Sequence, residues 1–261
     1  MTVANKGQPI VFLDSSALTF LFHFWDACAG VNAGDQLKEN SNWDNLSATL
    51  RSAGVDTSGL KQSNSINGGM LAFEVLHNHK YSHQFLTSLS CRAQMHHTLL
   101  EARGMEELVR RRVPRNLRME RSQMLYQAVL KQEDYDELRN QAEAFRETLN
   151  DDYGIEVLDL DDPTRGLGIT HIDIWTVAQE LWSHVLLDIT DGYAYAAAIC
   201  VKANVFLSSD SDLRKALEHL SDPGSDWAAT ALKQSIGLSP DASLPRPHTP
   251  RTAANAGFSA Q

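Results

Sequence analysis

Apolar runs that stop at acids punctuate this chain. Ile10-Val11-Phe12-Leu13 places four apolar residues in a row and ends at Asp14-Ser15-Ser16. Such a run predicts a strand shielded on both faces. Helical spacing begins at Ala17 and Leu18 and predicts a first helix to about Ala27, with Ser15 or Ser16 capping its free N–H groups. Residues 85–89 predict a second strand, closed by Ser90, and a helix follows through Gln94, Leu99, Leu100 and Glu101. Leu138, Ala142, Phe145 and Leu149 recur at spacings of four, three and four, the stripe of an amphipathic helix. Residues 155–160 alternate and read as a third strand near a sheet edge. Val205-Phe206-Leu207 is the last buried strand. It runs into Ser208-Ser209-Asp210-Ser211-Asp212, and a final helix begins near Leu213.

Strands alternating with helices predict an α/β fold, a parallel sheet flanked by helices in a three-layer, Rossmann-like α/β/α arrangement. All the carboxyl ends of such a sheet lie on one edge. One domain is expected over 8–237. It carries a polar surface insertion at 30–69, with a short helix around Trp43, Leu46 and Leu50, and a helical arm at 103–150 broken at Pro114. Residues 161–166 read as a loop. From Leu238 the chain turns to Ser, Ala, Pro and Thr and holds four of the eight prolines, which predicts a disordered tail at 238–261.

The composition, 43% hydrophobic and 21% charged, is that of a globular protein. Cys28, Cys91 and Cys200 are far apart, which argues against a cysteine zinc site or a disulfide framework and fits a reducing cytoplasm. No signal pattern and no membrane-length apolar run is seen, so a cytoplasmic protein away from membranes is expected. The formal net charge of −10 repels phosphate, so any nucleic-acid contact must be local. Arg103, Arg110, Arg111, Arg112, Arg115, Arg118 and Arg121 form the one basic cluster, offset by Glu106, Glu107 and Glu120. It reads either as a phosphate-contacting surface or as a solvated helix face with internal ion pairs. His77, His79 and His83 read as exposed loop residues rather than a metal site.

The acids carry the chemistry. Asp14 leaves the first strand, Asp210 and Asp212 leave the last, and Asp191 heads a helix of small residues. An EF-hand is excluded at Asp210 because its glycine and terminal Glu are missing. Gathered carboxylates repel one another, and their pKa values rise unless a cation neutralises them. Oxygen donors without His or Cys suit Mg²⁺ or Mn²⁺, ions that serve phosphate chemistry. A metal-dependent phosphodiesterase or phosphatase follows as the expectation.

Val11-Phe12-Leu13-Asp14-Ser15-Ser16-Ala17, Asp191 before its small-residue helix, and Phe206-Leu207-Ser208-Ser209-Asp210-Ser211-Asp212-Leu213 resemble the PIN-domain nucleases. These include the VapC-type toxins of toxin–antitoxin systems. The resemblance spans roughly residues 10–217, interrupted by long insertions. It implies a PIN-like sheet and an endoribonuclease that hydrolyses single-stranded RNA with Mg²⁺ or Mn²⁺. It also implies an acidic quartet in which Asp14 is the first acid, Asp191 the third and Asp210 the fourth. Asp212 matches an additional acid, and Ser208 a supporting hydroxyl. The family's second acid is a Glu early in the helix after the second strand. Gln94 stands there instead, with Glu101 two turns further on as an alternative ligand. The arginine cluster would hold the RNA backbone, and an antitoxin, another protein or a second copy would be the partner. Three other readings stay open: a catalytically weakened RNA- or protein-binding module marked by Gln94, a DNA-directed nuclease of flap-endonuclease type, and a phosphomonoesterase acting on small phosphates.

Overall fold

Five short strands, β1 (Ile10–Leu13), β2 (Gln84–Thr87), β3 (Val157–Asp159), β4 (Val205–Leu207) and β5 (Arg246–His248), pair in parallel in the order β3-β2-β1-β4-β5. The structure is a computed structural model that describes residues 7–33, 43–55, 61–120, 122–161, 168–218, 220 and 226–256. Val11, Phe12 and Leu13 of β1 and Phe206 and Leu207 of β4 are completely buried, as continuous apolar runs in a covered parallel sheet should be. Phe12 and Phe206 stack across this central pair, 5.9 Å between centroids, and the edge of Tyr195 closes on Phe206. Burying one such ring is worth about 1.5–3 kcal/mol.

Helices fill both connecting directions. In chain order they are α1 (Ser15–Gly30), α2 (Trp43–Ser52), α3 (Lys61–His79), α4 (Leu89–Arg110), α5 (Arg115–Glu120), α6 (Ser122–Val129), α7 (Gln132–Glu147), α8 (His171–Trp182), α9 (Ile189–Cys200), α10 (Ser211–Glu218), α11 (Asp226–Ser235) and α12 (Pro250–Ala256). The mixed α/β fold with its parallel sheet between helical layers is the one the periodicity predicts. Among the described residues no helix is long and apolar enough to cross a membrane.

Three expectations are corrected. The stretch 30–69 is not a mere surface insertion. Its residues 34–42 and 56–60 lie outside the described residues, but Leu46 and Leu50 are fully buried and α3 begins at Lys61. α3 lies so close to α1 that a Cβ at Gly69 would stand 2.0 Å from the Phe20 carbonyl oxygen, so the glycines permit backbone-to-backbone contact. The tail is not disordered over 246–256. Ser208 N–H donates to the His248 carbonyl (3.0 Å), Arg246 N–H to that of Asn204 (3.2 Å), and the buried Tyr195 hydroxyl to that of Pro245 (2.8 Å). Pro247, lacking an N–H, is tolerated because β5 is an edge strand. His77 and His79 close α3 rather than lying on a loop, and His79 packs edge-on against the buried His83. Of the loop expected at 161–166, Asp161 is a turn residue and the rest lies outside the described residues.

The stretch 103–150 is helical, and its first residues continue α4. α4 ends before Pro114, and α5, α6 and α7 succeed it. The last turn of α7 widens into a π-helical segment, Thr148–Asp152. Leu108, Tyr126 and Val129 form a small core of their own beneath it.

Candidate active site

β1 lies between β2 and β4, and the chain moves outward from it in both directions. The carboxyl ends of β1 and β4 therefore flank the topological switch point, where open parallel sheets leave a crevice for ligands. Asp14 follows β1. Its carboxylate accepts from Ala17 N–H (2.7 Å), so Asp14 itself caps α1, in place of the expected Ser15 or Ser16. Its backbone N–H still donates to the Leu207 carbonyl of β4 (3.1 Å), while its side chain serves the first N–H groups of the new helix, which need an acceptor.

Asp14 is buried and bound from three sides. The Ser208 hydroxyl donates to Oδ2 (2.6 Å), and Ser16 Oγ lies 2.9 and 3.0 Å from the two carboxylate oxygens. The Ser208 oxygen accepts Asp210 N–H (3.0 Å), and Ser16 Oγ accepts Ser209 N–H (2.8 Å). Two hydroxyls thus stitch the ends of β1 and β4 together around one carboxylate. Burial pushes the Asp14 carboxyl up to about 6, the hydrogen bonds pull it down, and the charge on Asp210 adds to the rise.

Asp191 sits in the first turn of α9, which is capped by Asp188. The Asp188 carboxylate accepts from Asp191 N–H (2.8 Å) and the Thr190 hydroxyl (2.8 Å). Asp191 itself is pushed up to about 7, first by burial, then by the charges on Asp188, Asp210 and Asp14. Among the described residues no Lys, Arg or His offsets the rise at either acid. Asp210 is exposed and caps α10, accepting from Asp212 N–H (2.7 Å) and Leu213 N–H (3.1 Å) through Oδ1. Compared with protein-family models, with curated proteins and with solved structures, the chain matches none.

The remaining candidates divide. Gln94 borders the site: its amide donates to the Thr190 hydroxyl (3.1 Å), which leads on to Asp188. Glu101 does not join it, being paired with His97 (3.4 Å) further along α4. Asp212 points away, its side chain 90% exposed and 3.5 Å from Lys215. The arginine cluster is also remote. Arg110 lies sixteen positions beyond Gln94 on α4, about 24 Å along the axis. Arg110 and Arg111 share Glu107, and Arg103 bridges Asp134 and Glu137. Arg112, Arg115 and Arg118 have no ion pair among the described residues, and Arg121 lies outside them.

Sequence reasoning missed Ser16 as a clamp and Asp188 as a fourth acid. The signal for Asp188 is an acid three residues before Asp191 at a helix start, the spacing at which an N-cap meets the third helical N–H. Among the described residues no three His, Cys, Asp or Glu side chains stand close enough to share one ion. The charge of Asp210 nevertheless reaches both Asp14 and Asp191, and that of Asp14 reaches Asp191.

Proposed function

We propose that the chain is a PIN-like nuclease that hydrolyses phosphodiester bonds of single-stranded RNA with Mg²⁺ or Mn²⁺. The observation that carries this reading is the charge of Asp210 acting on both Asp14 and Asp191 beside the switch point of the sheet, with no cationic side chain among the described residues to offset it. The donor set fits a hard divalent ion. It is all oxygen, and burial raises the affinity of Asp14 and Asp191 for positive charge. Asp14 and Asp210 would hold the ion. When bound, it would supply Lewis-acid charge to the phosphate and leaving oxygens.

The protein's own groups do the rest. Ser208 and Ser16 fix the orientation of the Asp14 carboxylate. Asp210 caps α10 through Oδ1, and among the described residues its Oδ2 takes no hydrogen bond. Asp191 positions the attacking water through its half-buried carboxylate, which takes up a proton near neutral pH and so suits proton transfer. Gln94, through Thr190, holds the Asp188 cap that places Asp191.

One observation favours a second reading, a module that binds RNA without cutting it. An amide stands at the position where the family has its second acid, and the described acids form no ready-made ligand triad. Incubating defined single-stranded RNA and DNA with Mg²⁺, Mn²⁺ or EDTA separates the two. RNA cleavage that needs the metal and falls about 100-fold or more in Asp14→Asn supports the nuclease. A Mn²⁺-induced rise in thermal midpoint without cleavage supports the binding module. DNA cleavage in preference to RNA removes the RNA assignment.

A further inference from the structure

The crevice continues into an aromatic wall. On α8, Trp175 is 44% exposed and Ile172 76% exposed. The Trp175 ring is braced by Trp182 (5.3 Å between centroids, edge to face) and faces Tyr193 of α9 (6.4 Å). Tyr193 stands two residues beyond Asp191, and the Trp182 indole N–H donates to the Asp188 carbonyl (3.2 Å). Gly192 makes this contact feasible, since a Cβ there would meet Trp182 Nε1 at 2.1 Å. The rings and the acids are therefore one continuous surface.

A second observation points into the same place. Asp161, just past β3, is more than nine-tenths buried. Its Oδ1 accepts Leu89 N–H (2.7 Å), but Oδ2 has no hydrogen-bond donor among the described residues. That oxygen lies 3.7 Å from His171 Nδ1, which shares a hydrogen bond with the Tyr193 hydroxyl (2.6 Å). A buried acceptor without a donor costs stability unless a ligand supplies one. Here it is aimed at the His171–Tyr193 end of the aromatic wall.

We propose that Trp175, Tyr193 and His171 form a stacking platform for an unpaired nucleobase of the substrate strand, with Asp161 as an acceptor for a base N–H. This rests on the nucleic-acid reading of the acid site and names how that site takes hold of its strand. The surface suits bases rather than phosphates. Asp173, Asp188 and Asp191 lie around it and repel the backbone, and on α4 the cluster arginines Arg103 and Arg110 stand about 14 and 24 Å beyond Gln94 along the axis. Flat aromatic faces take any base and orient it for hydrogen bonding at its edge.

The test measures binding of the full chain in EDTA, where cleavage does not intervene. Fluorescence anisotropy is read with a labelled eight-nucleotide RNA and with an abasic ribose–phosphate strand of the same length. Wild type is expected to bind the base-bearing strand at least tenfold more tightly. Trp175→Ala is expected to lose about tenfold of that affinity, and Trp175→Phe, which keeps a ring, to lose much less. Equal binding of the abasic strand, or unchanged affinity in Trp175→Ala, overturns the platform. So does a dimer that Trp175→Ala converts to monomer without altering RNA binding, which would make the wall a protein interface. If cleavage with Mn²⁺ fails while the anisotropy results hold, the nuclease reading falls and the platform stands.

Discussion

Asp14 caps α1 and is also the most buried acid beside the crevice, so its charge is costly in the absence of a cation. Its carboxyl is raised from the ordinary 3.8 to about 6, and that of Asp191 to about 7. Between about pH 4 and 7 the folded chain holds protons that the unfolded chain has released. Stability therefore falls as pH rises through that window. Without divalent ions the thermal midpoint is expected to drop from pH 5 to pH 8, and to drop less in Asp191→Asn. Mn²⁺ is expected to raise the midpoint at pH 8 and not at pH 5, because protons compete for the same oxygens. A midpoint that stays flat with pH and ignores Mn²⁺ would remove the acid cluster as an ion site. Ser208 makes the complementary case. Ser208→Ala deletes the donor to Asp14 and the acceptor of Asp210 N–H inside a buried site. It is expected to cost about 1–3 kcal/mol in urea unfolding.

Elements were legible where burial leaves a mark in the side chains. β1 and β4 stand out because both of their faces are covered and every position is apolar. The acids at their ends were legible for the same reason: a charged residue directly after such a run can only lie at the sheet's edge. α3 was half hidden. Its first turns are Lys, Gln, Ser and Asn, and its contact with α1 is made by glycines, which carry no apolar signal. β5 was hidden because its pairing uses backbone groups, and Arg246-Pro247-His248 has no strand-like pattern. The cap of α1 shifted because Asp14, Ser15 and Ser16 all offer oxygens beside the same N–H groups, and Asp14 takes that of Ala17. The α1–α3 contact makes a prediction at this scale. Gly69→Ala would drive a methyl into the Phe20 backbone and the Phe24 Cβ, neither of which is the movable end of a side chain. The expected cost is about 3 kcal/mol, read as a lower denaturation midpoint. An unchanged midpoint would show that the helices can separate freely.

At the scale of the whole molecule the C-terminal segment decides how well the site is held. β5 covers the outer edge of β4, and β4 carries Ser208 and Asp210 at its end. Ser208 is held twice, by its N–H on His248 and by its hydroxyl on Asp14, so the edge strand and the buried acid are mechanically linked. α12, which follows β5, packs back on α3, and α3 lies against α1, the helix that Asp14 caps. Ending the chain after residue 237 is expected to remove all of these contacts at once. The Tyr195 hydroxyl would lose Pro245 as its acceptor while remaining buried, a cost of about 1–3 kcal/mol by itself. The bared edge of β4, flanked by fully buried Phe206 and Leu207, would become a template for intermolecular pairing. The truncated chain should therefore melt earlier, aggregate on heating, and lose the Mn²⁺-induced rise at pH 8 because Ser208 no longer holds Asp14 in place. A disordered tail would give the opposite result: the same midpoint, solubility and response to Mn²⁺ with and without residues 238–261. Thermal melts of both chains, followed by light scattering and repeated with Mn²⁺, distinguish a dispensable tail from a strand on which the acid site depends.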